Sequence, residues 1–510
     1  MNKKFIVTIL FIIIIIISLP FVYAQFSGGS NYVFSGFLLN PQDGNSYLAK
    51  MQEGWSGSWQ FTLPYTAEPG SGTYLFLFYL FLGHLARWLN LPLLVVFHTA
   101  RILATIGLFW VLSVFLSRFL KLEAISARRI FLLLAFCSGV GWLAFPFGAF
   151  TSDFWVAEAY PFLSAYANPH FPLGLALLLG IFILVEEAPG VLRNIAIFLM
   201  SLFLAVVLPF GVVIAGLLLC GLAVWKWIEK KAVDWQGVIA FGMGGVPFVL
   251  YQEWVSQTYP VLQGWNAQNL TPSPPIWDFI LSFSPIFLLA IYGVWVAWQA
   301  RQQGSGMRLL ILWFIVGFVL IYFPFSLQRR FMLGFYIPAA CLGVIGLQRI
   351  IREHAKKWIW PLTFFLSMLT NVLLIMAGVF GVQTHSPAIF LEKPESQALA
   401  WLSTNTPPGS IILASPEMGL FIPADSGQRV LYGHPFETVN AAQEKAKVQT
   451  FFAGGLTLTD QEKFISDNKI GYIFWGPREQ ALGTPTILSR LKPAFQIGNV
   501  FIYPANNFSQ

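Results

Sequence analysis

The sequence predicts a polytopic α-helical membrane protein of about 11 transmembrane helices with a C-terminal extracytoplasmic α/β domain. Three observations predict this. The 510 residues are 56% hydrophobic and only 10% charged, where a water-soluble domain carries about 25% charge, so water cannot cover this chain. Long apolar runs recur from Phe5 to Gly381. Beyond them the apolar runs shorten and turn residues separate them, as in a small layered domain.

The first run follows Met1-Asn2-Lys3-Lys4 and ends near Val22-Tyr23-Ala24. That tripeptide could close a secretory signal. The Ile-rich run is long enough to span, and a retained first helix is the reading adopted; in either case residue 25 emerges outside. Further apolar candidates, bounded roughly by the length a span needs, are 73–89, 92–117, 130–148, 171–187, 194–208, 210–225, 236–254, 280–299, 309–325, 331–348 and 359–381.

Charge decides which of these cross. The net +7 does not mark a nucleic-acid surface, because Lys and Arg gather in short loops between apolar runs: 118–129, 226–231, 301–308 (Arg301, Arg308) and 349–357. All four fall on the side of Lys3 and Lys4 if 73–89 lies in the interface instead of crossing, as the bias of cytoplasmic loops toward Lys and Arg requires. The N-terminus is then cytoplasmic, and the expected location is a plasma (inner) membrane. The outer side receives 24–91, 149–170, 255–279, the turn 326–330 and everything after about 382. Cys137, Cys220 and Cys341 all lie inside apolar runs, which predicts neither a disulfide nor a thiolate metal site.

Two regions follow: a transmembrane part, 1–382, with its first outer loop at 24–91, and an outer domain, 383–510. In the latter, Ile411–Ala414, Val430–Tyr432, Tyr472–Trp475 and Val500–Tyr503 read as strands. Helical patterns at 392–403, 439–453 and 459–468 alternate with them, the last opened by a Thr459-x-x-Glu462 capping box.

Candidate chemistry lies on the outer side. Asp43, in Pro41-Gln42-Asp43-Gly44, precedes a helical stretch ending near Gly54 and reads either as an N-cap or as a functional carboxylate. Asp153, Glu158 and His170 follow in the loop 149–170; a carboxylate–histidine set of this kind could position an acceptor or bind a divalent ion. Arg329 and Arg330 place two cations on the outer face, where lipid headgroups or the phosphate of a lipid carrier would engage them. Arg101, about nine residues into its run, needs a partner or a wet cavity: a structural carboxylate or the same phosphate. His434 and Glu437 stand in Tyr432-Gly433-His434-Pro435-Phe436-Glu437 after a predicted strand, where α/β folds often bind ligands.

The order of these features resembles the membrane-embedded glycosyltransferases of the GT-C type, which include protein O-mannosyltransferases and the aminoarabinose transferase of lipid A. The resemblance rests on a first span, an outer loop with the early Asp43 and then Tyr47, the 68–83 stretch, and Arg101 in the next span. Gly44 and Glu68-Pro69-Gly70 depart from the pattern, which often has Glu and Lys-Pro-Pro there. The resemblance implies an inverting transfer of a sugar from a polyprenyl-phosphate-linked donor. The acceptor would be a glycan, lipid or protein on the outer face. Asp43 would be the general base, and the partners would be the donor and membrane lipids. This reading names no definite cofactor, and a divalent metal is compatible with it. A lipid or solute transporter or flippase, and a non-catalytic membrane scaffold with an envelope-binding tail, are the alternatives.

Overall fold

A computed structural model describes residues 1–299 and 304–505; Arg301 of the third basic loop lies outside the described residues. Among the described residues, six helices are long and apolar enough to cross a membrane: Lys3–Ser27, Leu93–Phe119, Pro209–Ile228, Trp235–Thr258, Ser305–Tyr322 and Ile359–Gln383. Two bent pairs bring the number to eight: Ala124–Phe136 with Gly141–Phe147, and Ile276–Phe283 with Ile286–Gln299. The count of about 11 is reached only by adding His170–Val185, Val191–Val207 and Tyr336–His354. The first two have 16 and 17 residues, and the third ends in Arg349, Arg352 and His354.

The breaks have physical causes. Between the first bent pair, Ser138 N–H donates to the Ser367 carbonyl and Val140 N–H to that of Leu281. Backbone that leaves the helix at membrane depth persists only when protein satisfies it in this way. Gly139 lets the strands of chain approach, because a Cβ there would sit 2.0 Å from the Ser282 carbonyl oxygen. The second break holds Pro285, which cannot extend the N–H ladder.

The chain folds as two units. The first comprises Met1–Pro20, His98–Tyr251 and Thr271–Phe380. Within it Ile286–Gln299 packs along Tyr336–His354 with backbones nearly touching, since a Cβ on Gly293 would lie 1.9 Å from the Leu342 carbonyl oxygen. Small residues at such crossings give membrane helices their packing energy. Phe279, Phe283, Phe287, Phe314 and Phe335 interlock beside it. Large apolar side chains such as Leu192 and Phe147 are exposed, as a lipid-facing surface requires.

The second unit comprises Phe21–Phe97, Gln252–Leu270 and the chain from Gly381. A short ribbon pairs β1 (Tyr32–Phe34) antiparallel with β2 (Phe390–Glu392). The main sheet contains β3 (Ile411–Leu413), β4 (Arg429–Val430), β5 (Tyr472–Trp475), β6 (Phe495–Ile497) and β7 (Val500–Pro504), in the order β4-β3-β5-β7-β6. The β4, β3 and β5 strands are parallel; β7 runs against β5 and β6. Alternate residues fill two cores. Ile411, Leu413 and Ile473 enter one; Ile412, Phe474 and Ile502 enter the other. A sheet buried on both faces accounts for the near-continuous apolar strands. The second core also contains Ala49 and Tyr65 of the first loop, so this loop completes the tail's interior.

Helices at Lys393–Asn405, Ala441–Phe452 and Leu458–Asp467 surround the sheet. The last starts earlier than its sequence signature predicts: Thr457, not Thr459, is the N-cap and accepts from Asp460 N–H. In the first loop, Pro41–Ser56 packs on Leu77–Leu89. The contact depends on Gly54 and Gly83, whose added Cβ atoms would fall 2.1 Å and 2.0 Å from carbonyl oxygens of Leu80 and Met51. At 13 residues, or about 20 Å, Leu77–Leu89 is shorter than the apolar thickness of a bilayer, about 30 Å.

Candidate active site

Asp43 is not the cap of its helix. Asn40 takes that position with a left-handed backbone (φ 48°), and Asp43 falls in the first turn of Pro41–Ser56. A carboxylate there is favoured by the positive end of the helix dipole. Its side chain is about half exposed, at 49%.

The spacing of this helix matters more than its start. Asp43, Ser46, Lys50 and Glu53 follow at intervals of three, four and three residues, which places them on one face. That face meets the segment 433–438. Lys50 Nζ lies 2.9 Å from Glu437 Oε1 and 2.6 Å from Ser46 Oγ, and Ser46 Oγ–H donates to the same carboxylate oxygen at 3.0 Å. The Lys50 side chain is 1% exposed; its ammonium also sits over the Phe76 ring at 4.4 Å. Burial raises the Glu437 carboxyl, but Lys50, His434 and Ser46 together outweigh it and hold its pKa below the usual value. Glu53 accepts from Thr62, and burial lifts its pKa to about 7 against the opposing pull of those bonds and of Lys50.

The segment 433–438 is rigid by construction. Thr438 Oγ1 accepts from the Gly433 and His434 N–H groups, and Thr438 N–H returns to the His434 carbonyl. Gln268 donates to the Thr438 carbonyl and accepts from Asn440 N–H. Gly433 is needed for the approach to Gly419, since its Cβ would lie 2.2 Å from that carbonyl oxygen. Tyr65 packs at 5.6 Å from the His434 ring and donates its hydroxyl to the Leu420 carbonyl. The imidazole is thereby held 2% exposed, with Nε2 3.9 Å from Asp43 Oδ1. Burial lowers its pKa, opposed by the charges of Glu437 and Asp43. Of the candidate residues read from the sequence, Asp43, His434 and Glu437 thus stand together. Lys50 and Ser46 were missed, although their helical spacing from Asp43 was a usable signal.

In the other unit the candidates separate. Asp153 is fully buried, and its carboxylate accepts from Gly141 N–H (3.0 Å), Thr151 Oγ1 (2.7 Å) and Ser282 Oγ (3.2 Å). Ser282 also donates to Asp278, which takes Ser152 N–H at 2.8 Å. Burial lifts the Asp153 pKa to about 6 despite those bonds. This network fastens the 149–155 loop to the Ile276–Phe283 helix; the sequence reading overlooked Asp278. Glu158 pairs with Arg330 at 3.3 Å, and Arg329 lies over the Trp155 ring at 4.6 Å. The turn carrying both arginines is pinned by Arg329 N–H to the Thr271 carbonyl and by Gly334 N–H to that of Glu158. His170 opens the His170–Val185 helix, its ring against Phe171.

Arg101 is 1% exposed. Its guanidinium donates to the carbonyls of Ile17, Ala165 and Tyr166 and to His98 Nδ1. It clamps three segments, and a phosphate would have to displace those carbonyls. Asp153 and Glu158 are likewise engaged by protein donors, so with His170 they do not make a cation site. Among the described residues no group of three or more His, Cys, Asp or Glu side chains could hold a metal ion.

No protein-family model and no curated protein matches the chain. Solved structures do. The chain is similar to the Archaeoglobus fulgidus oligosaccharyltransferase in complex with Zn and sulfate, with TM-score 0.55 and 12% identity over 91% of this chain and 67% of that one. It is similar to ArnT from Cupriavidus metallidurans bound to undecaprenyl phosphate, with TM-score 0.51 and 12% identity over 97% and 98% of the two chains. It is also similar to the mycobacterial arabinofuranosyltransferase AftD, with TM-score 0.50 and 14% identity, but spans only 40% of that chain. Identities this low establish architecture alone: the chain has the fold of the GT-C membrane glycosyltransferases.

Proposed function

We propose that this protein is an inverting glycosyltransferase that moves a sugar from a polyprenyl-phosphate-linked donor to an acceptor at the outer face of the membrane. The observation that carries the proposal is the Asp43 carboxylate. It is half exposed on a rigid helix, flanked by a buried histidine and a buried ion pair, in a chain with a GT-C fold. Asp43 takes the proton of the acceptor hydroxyl or amine as that atom attacks the anomeric carbon. The bond from that carbon to the phosphate oxygen breaks, and the polyprenyl phosphate leaves with the electron pair. One displacement inverts the centre.

Arg329 and Arg330 are the proposed phosphate ligands. Guanidinium groups bind phosphate oxygens in a forked geometry, and fixed cations stabilise the charge that builds as phosphate departs. Arg101 is the weaker ligand because its donors already serve carbonyls. No metal is assigned to residues of this chain. The Archaeoglobus enzyme was solved with Zn and sulfate, and a divalent ion is compatible with the reaction without being one of its steps.

Incubating the purified protein with a panel of undecaprenyl-phosphate sugars and candidate acceptors tests the proposal. Formation of a glycosylated acceptor with inverted anomeric configuration is expected. Counterflow of the lipid-linked sugar without acceptor modification would replace the transferase with a flippase. Arg329→Ala with Arg330→Ala should weaken undecaprenyl phosphate binding by on the order of tenfold to a hundredfold, from loss of hydrogen bonds to a charged group. An unchanged affinity would leave the two arginines as lipid-headgroup contacts.

A further inference from the structure

His434 has a ring whose two nitrogens are in opposite situations. Phe436 and Glu437 both donate backbone N–H to Nδ1, each at 3.1 Å. A nitrogen that accepts has no proton, so the neutral ring carries its hydrogen on Nε2. Nε2 is buried and has no acceptor within ordinary hydrogen-bond geometry; the Gln42 backbone accepts a looser bond from the ring, and Asp43 Oδ1 lies 3.9 Å away. A buried donor held only loosely by its backbone acceptor is under-satisfied, and one kept beside a half-exposed carboxylate can gain a stronger, charge-assisted bond there. Capping the 433–438 segment does not explain it, because capping uses only Nδ1 and an asparagine would serve. Metal binding does not explain it either, because Nε2 has no free lone pair in this tautomer.

We infer that His434 is a positioning residue for Asp43, its Nε2–H donating to the carboxylate and setting the oxygen that receives the acceptor's proton. The inference rests on the reading of Asp43 as the base. The separation of 3.9 Å exceeds a hydrogen bond, but the half-exposed Asp43 side chain can close it when substrate seats; catalytic hydrogen bonds are often long before that point. The proton on Nε2 stays there throughout, and Asp43 alone gains and loses one. Glu437, Lys50 and Tyr65 are the other titratable groups that face the ring. Burial opposes a second proton on the imidazole, which keeps it a neutral donor and not a competing acid.

The test uses the full chain in nanodiscs, labelled with ¹⁵N-histidine. The His434 signal, assigned by its loss in His434→Asn, is expected to show a protonated Nε2 and a bare Nδ1 at neutral pH, and Asp43→Asn should move the Nε2–H resonance. His434→Asn keeps an oxygen for the Phe436 and Glu437 N–H groups but removes the donor. With the undecaprenyl-phosphate sugar that is turned over, it should lower kcat by on the order of tenfold to a hundredfold with KM for that donor unchanged. The acid limb of the pH profile should rise, since a carboxylate that loses a donor is protonated more easily. His434→Gln, which restores an N–H near Nε2, should recover part of the rate. A proton on Nδ1, an Nε2 signal indifferent to Asp43→Asn, or a wild-type rate and pH profile for His434→Asn would overturn the inference. Full turnover by Asp43→Asn would remove the base, and this role with it. The NMR result then shows separately whether the two side chains interact.

Discussion

Asp43→Asn is expected to abolish sugar transfer, lowering turnover by about 10²–10⁴-fold, the contribution of a general base, while undecaprenyl phosphate still binds. The substitution keeps the shape of the first helical turn and removes only the carboxylate's charge and basicity. Its structural cost is small, because a charge at a helix N-terminus is worth about 0.3–1 kcal/mol when solvent reaches it, and this side chain is half exposed. Inactivity with an unchanged melting temperature and donor affinity is therefore the signature of a chemical role. Full transfer activity would show that the proton leaves by another route.

The second large effect concerns stability. Glu437→Ala leaves the Lys50 ammonium buried without its carboxylate, and breaking a buried pair in this way costs about 3–5 kcal/mol. Lys50→Met strands Glu437 in the same manner. Changing both, to Met and Leu, should recover most of the loss, since a well-packed apolar pair is often neutral or better. Thermal unfolding in detergent, with limited proteolysis across 433–440, reads both outcomes; additive losses in the double variant would show that the two groups do not act as a pair. The pair also fixes a pH dependence. The Glu437 pKa is lower folded than its ordinary value of 4.5. Its stabilisation is therefore complete above about 4.5 and is lost as the pH falls through the lower folded value.

The sheet of the second unit was readable because short apolar runs bounded by turn residues can be little else. Its four predicted strands recur as β3, β4, β5 and β7 within two residues at their ends. Asp43, His434 and Glu437 were readable as polar residues beside turns. Their meeting was not, because nothing local in a sequence marks a partner 387 positions away, as Glu437 is from Lys50. Arg101 shows the same limit differently. Its acceptors are backbone carbonyls, which every residue has, so a search for a charged partner could not find them. The breaks inside the runs 130–148 and 280–299 were not readable, because the satisfied backbone at Ser138 and Val140 depends on carbonyls of distant segments.

The seating of Ala49 and Tyr65 in the tail's core also has a consequence in time. Lys50 is synthesised 387 residues before Glu437, roughly 20–80 s at the usual pace of translation. Through that interval the Lys50 ammonium has no carboxylate partner, and the helix bearing Asp43 has Leu77–Leu89 against it but not the tail's core. A ribosome-bound chain halted before the tail would present Asp43 without the geometry that surrounds it. The polypeptide thus arrives at the arrangement around Asp43 late, after its apolar helices have been made, and quality control that samples the first loop would read whether the last strands have been made.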